Sequence, residues 1–459
     1  MKLHLKMIIV NKTISKLVGY TTLLLVFFSM IFSRSFIGIQ YGNIQLGKLF
    51  ILAGFAVSIL FFVYSFLNYK YFYSELLSSR VHQLIIVLFL ISLFLNKTSV
   101  FSSYTFKTSS YIWTISFLFF GKLVSDQSIL SKKLILPFLL VLPLNYLFST
   151  GRYPDIFMYF FNNYSDKFQF LKGSDILIVF LVSIILSYQF LDNDKLKLSY
   201  LFITTASMIP LLLFLSRGAF LPAFIFFTIE LIYWRKVIFK NFLFTSVLAA
   251  LCIPIFLAST LNVYGNLTFT KIEESIQTVE ENIVVDNLTS LIKDKNTHKV
   301  FFSFYIVDGR LTSQDITTRW RLDIWQDVIE DMVEDDILLN GYGYNEIIPA
   351  MIDPNEPGRT GRDGKNENLH NYFVNIFARG GFLQLILFLT FFYLLINSLK
   401  KDVRSYRITS FILAALMTAS FDPSMEGVQF PLIFYFFLGY FVNENISFSK
   451  SHLKTNRKS

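Results

Sequence analysis

Apolar residues fill bilayer-length windows again and again along the chain, near residues 17–34, 49–67, 82–96, 108–124, 133–149, 175–191, 197–215, 217–234, 241–262, 372–398, 408–422 and 427–443. A helix crosses the hydrocarbon core in roughly 20 residues, so each window predicts a transmembrane helix. A membrane β-barrel would instead alternate polar and apolar positions over about 10 residues. Runs such as Ile176–Leu186 and Phe382–Leu395 are apolar at nearly every position. The expected fold is therefore all-α: a polytopic helical membrane protein with about 12 transmembrane helices. The pattern divides the chain into nine spans over 1–262, a polar segment over 263–371, three spans over 372–443 and a tail over 444–459. No small-residue cleavage site follows the first window and further spans come at once, which predicts a retained helix in place of a signal peptide.

Composition agrees: 54% of the residues are hydrophobic and 16% charged, which excludes a water-soluble globular enzyme. The single cysteine, Cys252, sits in an apolar run, so neither an internal disulfide nor a thiolate metal cluster can form. The net charge of +9 is unevenly placed. The termini and the loops on their side carry 22 Lys and Arg, against 8 in the short loops opposite. By the positive-inside rule both termini are expected in the cytoplasm, and the 263–371 segment outside it. That segment holds 20 Asp and Glu against 10 Lys and Arg. The overall basicity is thus a topological signal and not a sign of nucleic-acid binding, and an anion bound at this acidic face needs arginines held in fixed positions.

The five histidines, His4, His82, His298, His370 and His452, are scattered, and neither a Walker phosphate loop nor a zinc-binding HExxH pair occurs, so no cofactor or metal is expected. Nor is there a pair of Gly/Pro-broken spans at matching positions in two halves, the pattern that marks inverted-repeat transporters. Asp and Glu are nearly absent from the predicted helices, which counts against a flippase or transporter with a charged central cavity.

Three groups of residues are candidates for chemistry. Ser216-Arg217-Gly218 falls between the seventh and eighth windows, at the external boundary. Arg217 reads either as a snorkelling cation that ends a span or as a guanidinium fixed at headgroup depth, with Ser216 as a hydrogen-bond donor and Gly218 allowing close approach. Apolar positions 320, 324, 328 and 332, with a second row at 325, 329 and 333, predict an external amphipathic helix capped by Thr317 or Thr318 and ending near Asn340-Gly341. Arg321 and Trp325 lie one turn apart on it, close enough for the indole to hold the guanidinium. The alternative is that the tryptophans dock the helix while Arg319 and Arg321 pair with nearby carboxylates. Gly341-Tyr342-Gly343 then reads as a turn. Lastly, His370 lies just before the tenth window, where it can take a proton from a hydroxyl or be an ordinary surface residue, and Asn371 can orient it or cap the next helix. Between them, the Pro/Gly-rich stretch 353–364 reads as a mobile lid, with Arg359 and Arg362 either joining the site on closure or remaining solvated.

In order and sidedness, Ser216-Arg217-Gly218, the external Arg321-Leu322-Asp323-Ile324-Trp325, the Gly341-Tyr342-Gly343 turn, His370-Asn371 and Arg379-Gly380-Gly381 together resemble the O-antigen ligase and O-antigen polymerase superfamily, over about residues 197–400. The resemblance implies a metal-independent glycosyltransferase of the all-helical GT-C type in the bacterial inner membrane. Its donor would be an undecaprenyl-diphosphate-linked oligosaccharide on the periplasmic face. It further implies that Arg217 and Arg321 hold the diphosphate and that His370 activates or positions the acceptor hydroxyl; the residue reading adds Ser216, Trp325, Asn371 and Arg319 as candidate substrate-binding neighbours. A chain-length regulator and a flippase are the protein partners it suggests.

Overall fold

The computed structural model describes residues 12–42, 44–67, 77–100, 102–265, 304–356, 358–360, 367–399 and 403–455. The first part of the chain forms α1 (Lys12–Ile37), a small hairpin of β1 (Gln40–Tyr41) and β2 (Ile44–Gln45), α2 (Leu46–Leu67), α3 (Leu77–Leu95), three short helices α4 (Ser103–Thr108), α5 (Ser110–Thr114) and α6 (Phe117–Asp126), and α7 (Lys132–Ser149). There follow α8 (Asp155–Tyr164), α9 (Gly173–Phe190), α10 (Asp194–Leu215), α11 (Arg217–Lys240) and α12 (Phe242–Tyr264). Beyond residue 303 come a hairpin of β3 (Phe304–Val307) and β4 (Arg310–Ser313), α13 (Ile316–Glu334), a 3-10 turn (Pro349–Met351), α14 (Tyr372–Ser398), α15 (Val403–Phe421), a second 3-10 turn (Pro423–Glu426) and α16 (Gln429–Thr455). Among the described residues seven helices are long and apolar enough to cross a membrane, and the fold is that of a polytopic helical membrane protein.

Helix covers every predicted window, but the fourth is not one span. Serines and threonines break it into α4, α5 and α6, because their hydroxyls bond locally and across to neighbours instead of leaving the helical ladder intact. Ser116 Oγ donates to the Gly54 carbonyl at 2.9 Å and Thr108 Oγ1 to that of Tyr344 at 2.7 Å. Such irregular backbone is tolerated at membrane depth only inside protein, and Ser109, Ser110, Thr114 and Ser116 are all buried. The pattern also did not predict α8. Its ten residues are too few for a span, and exposed Ile156, Tyr159, Phe160 and Tyr164 suit the layer between hydrocarbon and headgroups.

At the centre stands α9, apolar all round and buried from Gly173 to Ser187, as a helix surrounded by other helices should be. Carboxylates are not wholly absent from the helices. Glu230 in α11 is fully buried; it accepts a hydrogen bond from Tyr188 Oη at 2.8 Å and faces Arg407 Nε at 3.6 Å. Arg407 lies over the Tyr188 ring, so this cluster fastens α9, α11 and α15 together at the end remote from Arg217.

The outer segment is built around α13. Its helical spacing is right, with Ile324, Val328 and Met332 packed against Ile348, Met351 and Leu369. The second row is wrong beyond Trp325, since Ile329 and Val333 are exposed. The cap is Asp315, not Thr317 or Thr318. Asp315 Oδ2 accepts the Thr318 amide at 3.1 Å and both threonine hydroxyls, a stronger cap than either hydroxyl alone. The helix ends at Glu334, short of Asn340. β3 and β4 pair in antiparallel register from Phe304↔Ser313 to Val307↔Arg310, and Gln326 ties the hairpin to α13 by bonding the amide and carbonyl of Leu311. Residues 266–303, with the first part of the predicted outer segment, lie outside the described residues.

Two glycine motifs join here. α14 is broken at Gly381, whose φ of 67° and ψ of −172° leave helical space. Onto that break dock residues 338–343: the Tyr342 and Gly343 amides donate to the Ala378 and Arg379 carbonyls at 2.8 and 2.9 Å, and the Phe382 amide to that of Leu338 at 2.8 Å. A Cβ on Gly381 would lie 2.1 Å from the Leu339 carbonyl oxygen. Gly381→Ala is expected to destabilise the protein by at least ~1–2 kcal/mol from its positive φ, with a further penalty from the displaced carbonyl. Thermal unfolding in detergent should register a drop in Tm of several degrees; an unchanged Tm would contradict the docking described.

Candidate functional site

Several helix ends converge where the polar segment around α13 meets the apolar helices. α10 ends and α11 begins at Ser216, whose φ of −164° is extended, so the chain turns there with only one residue between two helices. The Gly173 position opposite is tight, since a Cβ on it would lie 2.8 Å from Ser216 Cβ. α9 and α11 therefore both start at this point, bringing two positive helix ends together. Gly218 does permit a close approach, but the neighbour is Phe421: a Cβ on Gly218 would lie 2.6 Å from the Phe421 Cβ. The Phe421 carbonyl at the end of α15 accepts a hydrogen bond from Arg321 Nη1 at 2.8 Å. Arg321 is thus fixed by backbone and not by Trp325. Arg217 Nη1 lies 3.5 Å from Asp315 Oδ1, the carboxylate that caps α13, so the cap and the cation are held by the same group.

Both tryptophans of α13 serve the histidine. Trp325 Nε1 donates to the Leu369 carbonyl at 2.7 Å, and the Trp320 ring meets the His370 ring edge to face at 5.0 Å. His370 has a φ of 53°, a left-handed conformation that costs a non-glycine residue free energy and is held here by its neighbours. Asn371 caps α14 by accepting the Phe373 and Val374 amides at 3.0 and 3.2 Å; of the two roles considered for it, the structure gives it the cap. Arg319 points away, its Nε donating to the Ser313 carbonyl at 2.9 Å, and braces the hairpin. Arg359 is neither solvated nor at the site. It is buried, paired with Asp327 of α13 and bonded to the Ala350 carbonyl, so at least this part of the Pro/Gly-rich stretch is fastened down. Arg362 lies outside the described residues.

Sequence reasoning overlooked three charged groups here, although it counted Arg34 and Lys172 among the external cations. Lys172 occupies the N-cap position of α9, its amide donating to Asp175 Oδ2 at 3.2 Å, and burial followed by the Arg34 charge holds its ammonium below the usual lysine range. Arg34 is presented by a break in α1, where Ser33 has a φ of 48°. Asp422 follows Phe421. Its carboxyl accepts from Ser174 Oγ at 3.4 Å and is pushed up by burial against the pull of Lys172. No local pattern marks these positions, because each belongs to a different helix end. Burial also holds the Arg321 guanidinium below its ordinary range, opposed by Asp422 and Asp315. His370 is held down to about 4, first by burial and then by the positive charges of Arg321 and Lys172, so its imidazole is unprotonated at neutral pH.

Cations, two helix N-termini and an unprotonated imidazole thus meet where the polar segment joins the apolar helices, an arrangement able to hold an anion beside a histidine. Residues 200–389 match the family model described as O-antigen ligase. The match supports the chain's place in the O-antigen ligase and polymerase superfamily and a membrane glycosyltransferase-like activity of ligase or polymerase type. It spans Ser216, Arg217, Arg321, His370 and Arg379, whereas Arg34, Lys172 and Asp422 lie outside it. No curated protein matches the chain.

Proposed function

We propose that the chain is a surface-polysaccharide polymerase of the bacterial inner membrane, with both termini in the cytoplasm, that transfers an undecaprenyl-diphosphate-linked glycan onto the next repeat unit at the periplasmic face. The observation that carries this reading is that Arg321 and Lys172 act directly on a neutral His370, with Arg34 beside Lys172 and with Arg217 on Asp315, whose charge also reaches Arg321. The acceptor hydroxyl attacks the anomeric carbon and gives its proton to His370. The bond from that carbon to the lipid diphosphate breaks, and its electron pair leaves on the diphosphate oxygen. Guanidiniums beside that oxygen stabilise the charge as it grows, the term on which such transfers chiefly depend. In this reaction the residues themselves supply the positive charge.

A ligase of the same fold, passing the glycan to a lipid-A core sugar, is the second reading, and the family match fits either. Deleting the gene separates the two on a lipopolysaccharide gel: a single repeat on the core supports the polymerase, whereas bare core with polymer held on undecaprenyl diphosphate supports the ligase.

The pH dependence carries a further expectation. Because the imidazole must be neutral to accept a proton and its pKa is near 4, kcat/KM should stay level from about pH 8 down to pH 5 and fall by half near pH 4. Lys172→Gln removes one of the charges that depress this pKa, so its acid limb should move upward, toward 6.5. An acid limb at 6.5 in the unaltered enzyme would contradict the depressed imidazole.

A further inference from the structure

The His370 loop has a second flank. Glu367, Asn368 and Tyr372 from this loop and its helix, with Lys107, Asn375, Arg379 and Glu426, line a cavity of about 50 Å³ that the proposed transfer does not use. Its polar groups are only partly satisfied. Arg379 is 2% exposed; its terminal nitrogens donate to the Gly343 and Glu346 carbonyls and to Tyr104 Oη, but its Nε is buried without a hydrogen-bond partner. Glu426 Oε1 is likewise buried and unpartnered. A buried donor and a buried acceptor left open on one small cavity are costly unless something enters to meet them.

The chemistry of the lining restricts what can enter. Two carboxyls, Glu367 and Glu426, line the cavity with Arg379, and Lys107 is 3.4 Å from Glu367, so that pair adds little net charge to the lining. Burial raises the Glu426 carboxyl to about 8, so near neutral pH it is largely protonated and offers both an O–H donor and an acceptor oxygen. The 3-10 turn Pro423–Glu426 places it there, directly after the Phe421 and Asp422 that border the cation cluster. A lining that both donates and accepts, through the open Arg379 Nε and a largely neutral Glu426 carboxyl, matches the hydroxyl or acetamido groups of a sugar.

We propose that this cavity is the acceptor subsite, taking an uncharged sugar substituent of the acceptor glycan while the diphosphate occupies the cation cluster on the other flank of the His370 loop. This rests on the transferase reading above, but it is tested by binding. The full-length protein in detergent is titrated with the repeat-unit oligosaccharide released from its lipid by mild acid, and separately with undecaprenyl diphosphate. Glu426→Ala and Asn375→Leu are expected to weaken oligosaccharide binding by about tenfold or more while leaving undecaprenyl diphosphate affinity within twofold; the latter also reports correct folding. Unchanged oligosaccharide affinity, or equal loss for both ligands, overturns the proposal. Selective loss of sugar binding in a protein that transfers no glycan would sink the transferase reading and uphold the cavity as a sugar site.

Discussion

His370→Ala is expected to lower the rate of glycan transfer by a factor of about 10²–10⁴, the usual contribution of a positioned general base, with the protein still inserted and folded. The imidazole touches Trp320 edge to face and contributes little to the packed cluster around Ile324 and Val328, so the loss should appear in activity and not in Tm. The structure also makes the neighbours of His370 matter. Trp325 holds the preceding carbonyl and Asn371 caps the following helix, so the ring is set from both sides. Chain length on a gel, together with initial rates in detergent, checks this. Polymer of normal length from a His370→Ala strain would remove the residue from the reaction.

Arg321→Ala should cost about as much as removing one charge-stabilising donor from other acyl and glycosyl transfer sites, roughly 10²–10³ in kcat. Arg321→Lys should restore little of it. The guanidinium divides its donors, giving Nη1 to the Phe421 carbonyl at 2.8 Å and keeping others for a ligand, whereas an ammonium is a point charge without that fixed fork. Loss of Arg321 also removes a charge that depresses the imidazole, so any residual activity should show its acid limb shifted upward. Rates of Arg321→Lys within a few fold of the unaltered enzyme would mean that charge alone suffices and that the fork has no part in binding. Arg217→Ala should be milder, because Arg217 is more exposed and shares its charge with Asp315.

How far the site could be read from the sequence depended on whether a residue's role was local. Position within an apolar pattern is local, so the helical windows and the Ile324, Val328, Met332 face of α13 were legible. Partnership was not. One-turn spacing offers Arg321 either the Trp325 ring or a nearby carboxylate, yet it is held by a carbonyl 100 residues further on. Gly341-Tyr342-Gly343 and Arg379-Gly380-Gly381 were two separate weak motifs, and only the fold makes them the two halves of one joint. Arg34, Lys172 and Asp422 had no spacing to reveal them, because charges at three distant helix ends become neighbours only when the bundle closes.

By itself, then, the order of apolar and polar residues determined that this chain lives in a membrane as a helical bundle, because the absence of water from hydrocarbon imposes a length and a composition on each segment that crosses it. Which guanidinium is fixed, which serine and threonine run breaks its helix, which glycine yields to a neighbour, and how low the imidazole of His370 is held were decided by tertiary contact alone. Hydrogen bonds, burial and charge act over a few ångströms in space, and the distance between two residues along the chain does not reveal that separation.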